Sequence, residues 1–319
     1  MTAAQTRILS TLGLIAGMAA FPASLARAQK PSKQDSQIAA ALPAEATVKP
    51  KQPRKLLVFN TKKGHAGAAA VAARVMERMG EKTGAWNTTV SDNPAVLEAE
   101  SLKQFDAVCI NNTSGFNPFG DPPPATASKE EKDAAAAASK RREDAFMAYL
   151  RGGKGVIGFH STTDSRSTML FELFHGRFNG HPWSEKVGIR IDDPKHALTK
   201  SLGGEGFDIV DEIYQFTDKY HADFRKHVRV LLTLDNARTA PKGNRADKDY
   251  AVAWVKKVGE GRLFYSSLGH NSDVFWNPKI LRFYQDGIQF ALGDLPADTI
   301  PSDEAGIRSP APATAAPAK

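Results

Sequence analysis

Imidazole, carboxylate and hydroxyl groups gather at four points of this chain, each at or near the end of a run that reads as a strand. The richest is Gly153 to Asp164, G-K-G-V-I-G-F-H-S-T-T-D, where a short apolar run empties into His160, Ser161, Thr162, Thr163 and Asp164. A second, Asn60 to His65, follows the run K-L-L-V-F-N. The third is His175 to Trp183 (H-G-R-F-N-G-H-P-W), and the fourth is Ser267 to Asn271 (S-L-G-H-N). Open α/β sheets place their chemistry beyond the carboxyl ends of their strands, so His65, His160, His181 and His270 are candidates for one shared crevice. His196, His221 and His227 stand in charged surroundings and read as surface residues.

Imidazole titrates near neutrality, so a pair of such rings can act as base and acid, and neutral rings can bind a transition metal. The spacing contains no compact metal motif such as H-E-x-x-H. Two chemistries therefore stand side by side. In one, His160 and His270 transfer protons, with Asp164 or Asp211 orienting a ring. In the other, a divalent metal is held by His160, His181 and Asp164. No further cofactor is called for.

A second resource lies in F-D-I-V-D-E-I-Y-Q-F (207–216), where two strand-like runs flank the acidic pair Asp211 and Glu212. The plain reading is a turn carrying solvated acids. Tyr214 and Phe216, together with Trp183 and Trp276, can instead form flat walls on which sugar rings stack, since such aromatics combine an apolar body with a polar edge. A retaining glycosidase would need two carboxyl groups facing one another about 5 Å apart.

The elements that must carry these residues alternate through the first half. Strands are expected at 55–60, 86–90, 105–111 and 155–159, with helices over 67–79, after Pro94, and ending near Arg151. Such alternation implies an α/β fold with a mostly parallel central sheet covered on both faces. Beyond Trp183, the runs 187–191, 228–234, 250–255 and 262–266 come with little helix between them, so antiparallel or mixed strands are expected in the second half. A last helix, 278–292, opens on Pro278 as helix first turns tolerate. The Pro- and Ala-rich excursion at 117–140 interrupts the pattern.

The chain has 319 residues, 41% of them apolar, enough for one large core. Residues 1–28 carry Arg7, an uncharged run and Ala26-Arg27-Ala28, the pattern of a signal peptide cut after Ala28. A periplasmic or secreted protein without a stable membrane anchor follows. Loss of Arg7 and Arg27 leaves 40 basic against 35 acidic residues, a balance of +5. No basic cluster with stacking aromatics is present, which excludes a nucleic-acid partner. Residues 29–53 and 295–319 read as a disordered linker and tail around a domain at 54–294. The single Cys109, in an apolar run, makes no internal disulfide and reads as a small buried hydrophobe. Gly152 to Gly155 precedes a strand instead of opening a helix, so it is no phosphate cradle.

In order and spacing, K-L-L-V-F-N…G-H (55–65), G-K-G-V-I-G-F-H-S-T-T-D (153–164), F-N-G-H-P-W (178–183), D-E-I-Y (211–214), A-W-V (253–255) and G-R-L-F-Y-S-S-L-G-H (261–270) resemble the ThuA-like, trehalose-utilisation family. The resemblance implies a class I glutamine-amidotransferase-like fold, a flavodoxin-like three-layer sandwich. It also implies work on trehalose, other disaccharides or their 3-keto derivatives, as a hydrolase or lyase, and a carbohydrate as the partner. Glutamine hydrolysis is not implied, because His160 occupies the neighbourhood of the amidotransferase cysteine and Cys109 lies elsewhere. The pocket residues it suggests are His65, His160, Asp164, His181, Trp183, Asp211, Glu212, Tyr214 and His270. A non-catalytic carbohydrate-binding protein is the alternative.

Overall fold

A computed structural model describes residues 32–60, 65–217, 219 and 223–307. The expected signal peptide, the loop 61–64 and His221 lie outside the described residues. Among the described residues nine strands form a single sheet: β1 (Lys55–Asn60), β2 (Asn87–Ser91), β3 (Ala107–Asn111), β4 (Gly155–Phe159), β5 (Trp183–Ile191), β6 (Phe207–Ile213), β7 (Arg229–Leu234), β8 (Ala251–Val258) and β9 (Gly261–Ser266). Their order is β2-β1-β3-β4-β9-β8-β7-β5-β6. The first five in that order run parallel and the remaining pairs are antiparallel. The fold is therefore α/β with a parallel half and an antiparallel half, as the change of pattern past Trp183 implied.

β3 and β4 are buried along their whole length, which is why they read as unbroken apolar runs. On one face, α2 (Ala66–Thr83) and α6 (Pro278–Leu292) cover Leu56, Val58 and Ile157. On the other, α3 (Ala99–Leu102), α4 (Lys129–Arg151) and α5 (Thr168–Phe174) cover Leu57, Val108 and Val156. α4 starts at a capping box, Ser128 with Glu131. That box separates the proline half of the 117–140 excursion from its helical half. α6 packs so tightly that a Cβ at Gly155 would lie 2.0 Å from the Ala291 carbonyl oxygen. Any larger residue there would push α6 off the central strand.

Two expectations about the ends are corrected. Over 32–53 the linker is structured: α1 (Lys33–Ala41) is capped by Ser32 and buries Ile38, and Leu42 follows it into the core. Asp35 pairs with Arg74 and Arg78 of α2, and the Val48 backbone exchanges hydrogen bonds with the Gln289 side chain. Two apolar side chains four residues apart suffice here because the short turn Ser272–Trp276 packs against α1 and α2 anchors it through Asp35. The tail is also packed as far as Ile307. Ser302 donates its backbone N–H to Val228 and accepts from Val230 through its hydroxyl.

A third correction concerns the acidic pair. Asp211 and Glu212 are not in a turn; they lie inside β6, which pairs antiparallel with β5 so that Ser184 stands opposite Glu212 and Trp183 opposite Ile213. Successive strand residues face opposite sides of a sheet. The two carboxylates are thereby sent to different environments. α5 was not foreseen, and His196 is buried instead of exposed, with Nε2 2.8 Å from the Asp298 carbonyl and Nδ1 accepting from Leu198 N–H. Among the described residues no helix is long and apolar enough to cross a membrane.

Candidate functional site

The carboxyl ends of β1, β4 and β9 bring three imidazoles together. His160 follows β4 directly, in a backbone conformation with φ of +42°. A left-handed non-glycine residue costs on the order of 1–2 kcal/mol and is held only where surroundings over-determine it. Here Tyr265, from β9, donates its hydroxyl to the His160 carbonyl at 2.7 Å and contacts Thr163 Oγ1 at 2.9 Å. The ring is fully buried. Its Nδ1 lies 2.8 Å from the Ser267 carbonyl, which can only accept, so Nδ1 carries the hydrogen. Nε2 then presents its lone pair, 2.9 Å from the Tyr214 hydroxyl. Burial, reinforced by His65, His270 and His181 nearby, holds this imidazole well below its ordinary protonation range against the opposing Ser267 bond.

His65 is the N-cap residue of α2, and His270 lies in the loop after β9. Ring centroids are 5.2 Å apart for His65 and His160, 5.0 Å for His65 and His270, and 5.3 Å for His160 and His270. The three rings thus mark a nearly equilateral triangle. One ring nitrogen from each falls in a set whose members all lie within 4.8 Å of one another. Burial and the neighbouring His270 lower the protonation range of His65 as well. A compact group of imidazoles can exchange protons or ligate a metal ion.

Glu212 supplies the charge. Its Oε2 is 3.0 Å from His270 Nδ1 and 3.6 Å from His160 Nε2, while Oε1 is 3.6 Å from His181 Nδ1. Tyr214 shares this face of β6, two residues on. Asp211 points the other way and accepts the backbone N–H groups of Gly269 at 2.6 Å and Asn271 at 2.8 Å. It therefore fixes the loop that carries His270. Burial pushes its carboxyl up to about 7 despite those donors.

Of the residues singled out in the sequence, His65, His160, His270, Glu212 and Tyr214 come together, and His181 stands at their rim with a side chain 47% exposed. The others are placed differently. Trp183 is no sugar platform: it is 0% exposed, donates Nε1–H to the Ala240 carbonyl at 2.7 Å and packs on Tyr250. Tyr214 and Phe216 are equally enclosed, so the expected aromatic wall does not exist on these three residues. Asp211 positions a loop and does not line the site. Asp164 accepts a hydrogen bond from the Ser114 hydroxyl and is outside the imidazole set, although its charge favours protonation of His65. Among the described residues the group whose ligand atoms lie close enough to share an ion is His65, His160 and His270, which has only His160 in common with the candidates His160, His181 and Asp164. His175 belongs elsewhere, with Lys256 at 3.0 Å and the His227 ring at 4.6 Å. Because Asp211 and Glu212 face opposite sides, they cannot form a glycosidase carboxyl pair. Cys109 is buried in β3 with its thiol pushed up by burial, unsuited to act as a nucleophile.

Tyr265 and the Ser267 carbonyl went unrecognised as site residues. The signal available was their place in G-R-L-F-Y-S-S-L-G-H, at the end of the strand that delivers His270.

The model of the trehalose-utilisation family, ThuA, matches residues 55–291. None of the curated proteins matches the chain significantly. Among solved structures, a ThuA-like protein from Bacteroides uniformis ATCC 8492 aligns over 76% of this chain and 93% of its own, with 21% identity and a TM-score of 0.58. A ThuA-like protein from Parabacteroides merdae ATCC 43184 aligns over 76% and 92%, with 12% identity and a TM-score of 0.51. These likenesses agree on the fold, and the family match runs from the first residue of β1 almost to the end of α6. The chain belongs to the ThuA, trehalose-utilisation, family.

Proposed function

We propose that the protein is exported and acts on glycosides through their 3-keto derivatives, with 3-keto-trehalose as the representative substrate. The observation that carries this reading is the convergence of His65, His160 and His270 beside Glu212, in a chain of the trehalose-utilisation family. A carbonyl at C3 acidifies the C2 proton. His270 removes that proton, and Glu212, 3.0 Å from its Nδ1, balances the imidazolium that forms. The electron pair moves to form the C1–C2 double bond, the C1–O glycosidic bond breaks, and the departing oxygen takes the proton from the imidazolium to leave as glucose. His160, neutral and fixed by Ser267 and Tyr214, faces the same reacting region.

Of the four aromatic residues expected as stacking walls, Trp183, Tyr214 and Phe216 are enclosed and Trp276 alone is partly exposed. That weighs against a purely carbohydrate-binding role. Two further readings belong to the proposal. The order β2-β1-β3-β4-β9 fits a flavodoxin-like sheet, in which ligands bind at the strand carboxyl ends. Export predicts a mature N-terminus at Gln29, readable by N-terminal sequencing of protein from the cell exterior.

The decisive assay follows glucose released from 3-keto-trehalose, with trehalose itself as control. Turnover by the wild type and a fall of about 100-fold or more in His270→Ala is expected for loss of a general base. Equal turnover in the variant, or no glucose from the wild type, overturns the assignment.

A further inference from the structure

We propose that His65, His160 and His270 form a site for one divalent transition-metal ion of the class that imidazole nitrogen prefers, with zinc as the representative probe. Three protein ligands with a position left over is the composition of a catalytic zinc site, as distinct from a closed structural one. The donors come from three separate strand ends and offer one nitrogen each within 4.8 Å of the others. A tetrahedral ion at a zinc–nitrogen distance of about 2.0–2.1 Å would draw them to about 3.4 Å apart. That is an adjustment of side-chain torsions, not of the sheet.

Three independent features point to an ion. First, the Nδ1–H of His160 is already spent on the Ser267 carbonyl, the outer arrangement that fixes tautomer and ring orientation in metal-bound histidines. Second, among the described residues His270 Nδ1 is buried and makes no hydrogen bond, with the Glu212 oxygen 3.0 Å away. Third, Glu212 brings a negative charge against the rings, which a group of neutral imidazoles alone does not need. Tyr214 is the competitor, since its hydroxyl occupies the His160 Nε2 lone pair at 2.9 Å. When bound, such an ion would polarise a sugar carbonyl oxygen as a Lewis acid.

The metal reading rests on the proposed reaction but moves its base: with the His270 lone pair on the ion, the C2 proton passes to Glu212, 3.0 Å from that ring, and the test of the site needs no sugar. Untagged protein stripped with chelator is titrated with zinc chloride by calorimetry. One ion per chain is expected, with affinity lowered at least tenfold in His65→Ala and in His270→Ala. Both rings are partly exposed, so these variants should fold, and circular dichroism checks that they do. His181→Ala and His175→Ala should bind as the wild type does, and Tyr214→Phe should bind at least as tightly. Absence of binding to the wild type overturns the inference. So does binding unaffected by His65→Ala and His270→Ala, or binding lost in His175→Ala. If zinc binds as expected but 3-keto-trehalose is not turned over, the sugar reading alone fails. If turnover survives chelation and no zinc binds, the metal site alone fails.

Discussion

Replacing Trp183 separates a role in binding from a role in holding the site together. The indole is fully enclosed at the start of β5, directly across the ladder from Ile213 and next to the Ser184–Glu212 pair. Trp183→Ala removes the largest side chain of this corner, a change worth about 3–5 kcal/mol in a core. It also removes the 2.7 Å hydrogen bond to the Ala240 carbonyl, a further loss of about 0.5–1.5 kcal/mol because Ala240 is exposed and water can take the donor's place. Since these losses overlap, a total near 4–6 kcal/mol is expected, a large part of the roughly 5–15 kcal/mol that holds a typical domain folded. Trp183→Phe keeps much of the packing but loses the hydrogen bond and part of the buried ring volume, for about 1–3 kcal/mol together. At roughly 2–4 °C per kcal/mol for a domain of this size, that is a Tm lower by about 2–12 °C. The assay is thermal and urea unfolding of wild type, Trp183→Phe and Trp183→Ala, with glucose release measured well below each Tm. The reasoning predicts graded loss of stability, with activity falling because Glu212 loses its register. It is refuted if Trp183→Ala keeps a Tm within about 2 °C of the wild type while sugar affinity collapses, the behaviour of an exposed platform.

The remaining predictions concern positioning and protonation. In Asp211→Asn one of the two backbone N–H groups it accepts, Gly269 or Asn271, faces an amide NH₂, so hydrogen exchange at those two amides should speed up at least tenfold; unchanged protection would remove the loop-holding role. Asp211 also has a folded-state range raised to about 7, so its contribution to stability is complete below about pH 4 and lost as pH rises through 7. The wild type should therefore lose stability relative to Asp211→Asn between pH 5 and 8, and parallel pH profiles of the two proteins would contradict this. His160 and His65 work in the opposite sense, because their folded ranges are depressed. Their contribution is present above about pH 6.5 and lost as pH falls through the folded values, so the acid-side fall in Tm should be shallower in His65→Ala, and an unchanged slope would sink the point. Tyr265→Phe deletes the hydroxyl that holds the His160 carbonyl; kcat should drop more than KM rises, whereas a change in KM alone would assign Tyr265 to binding.

How far the sequence could be read differs from element to element, for physical reasons. β1, β4 and α6 occupy the residues expected of them because each signal is local: continuous burial on both faces for the strands, Pro278 and Gly293 bounding the helix. β6 was hidden because a strand containing Asp211 and Glu212 reads as polar until the partners are known. Asp211 is satisfied by backbone N–H groups 58 and 60 residues away, and no window of sequence contains them. α1 was missed for a similar reason, as Ile38 finds its apolar surface on elements far along the chain. Trp183 shows the limit of residue type as evidence, since an indole beside a histidine serves equally as core or as wall.

The site was legible in part. Parallel strands deliver their following loops to one edge, so histidines placed after β1, β4 and β9 had to converge. Which of them share an ion could not be read, because that depends on where each ring nitrogen points. His181 and Asp164 follow strands or turns as His65 does, yet Phe178 stacks on one at 5.9 Å and Ser114 engages the other.

Ring nitrogen-15 resonances of histidine-labelled protein, recorded with and without 3-keto-trehalose, test most directly whether the converging imidazoles are a reaction site. His65, His160 and His270 should shift together on addition of the sugar, while His175, His196 and His227 stay in place. Shifts confined to the latter group, or no shift at saturating sugar, would contradict the account.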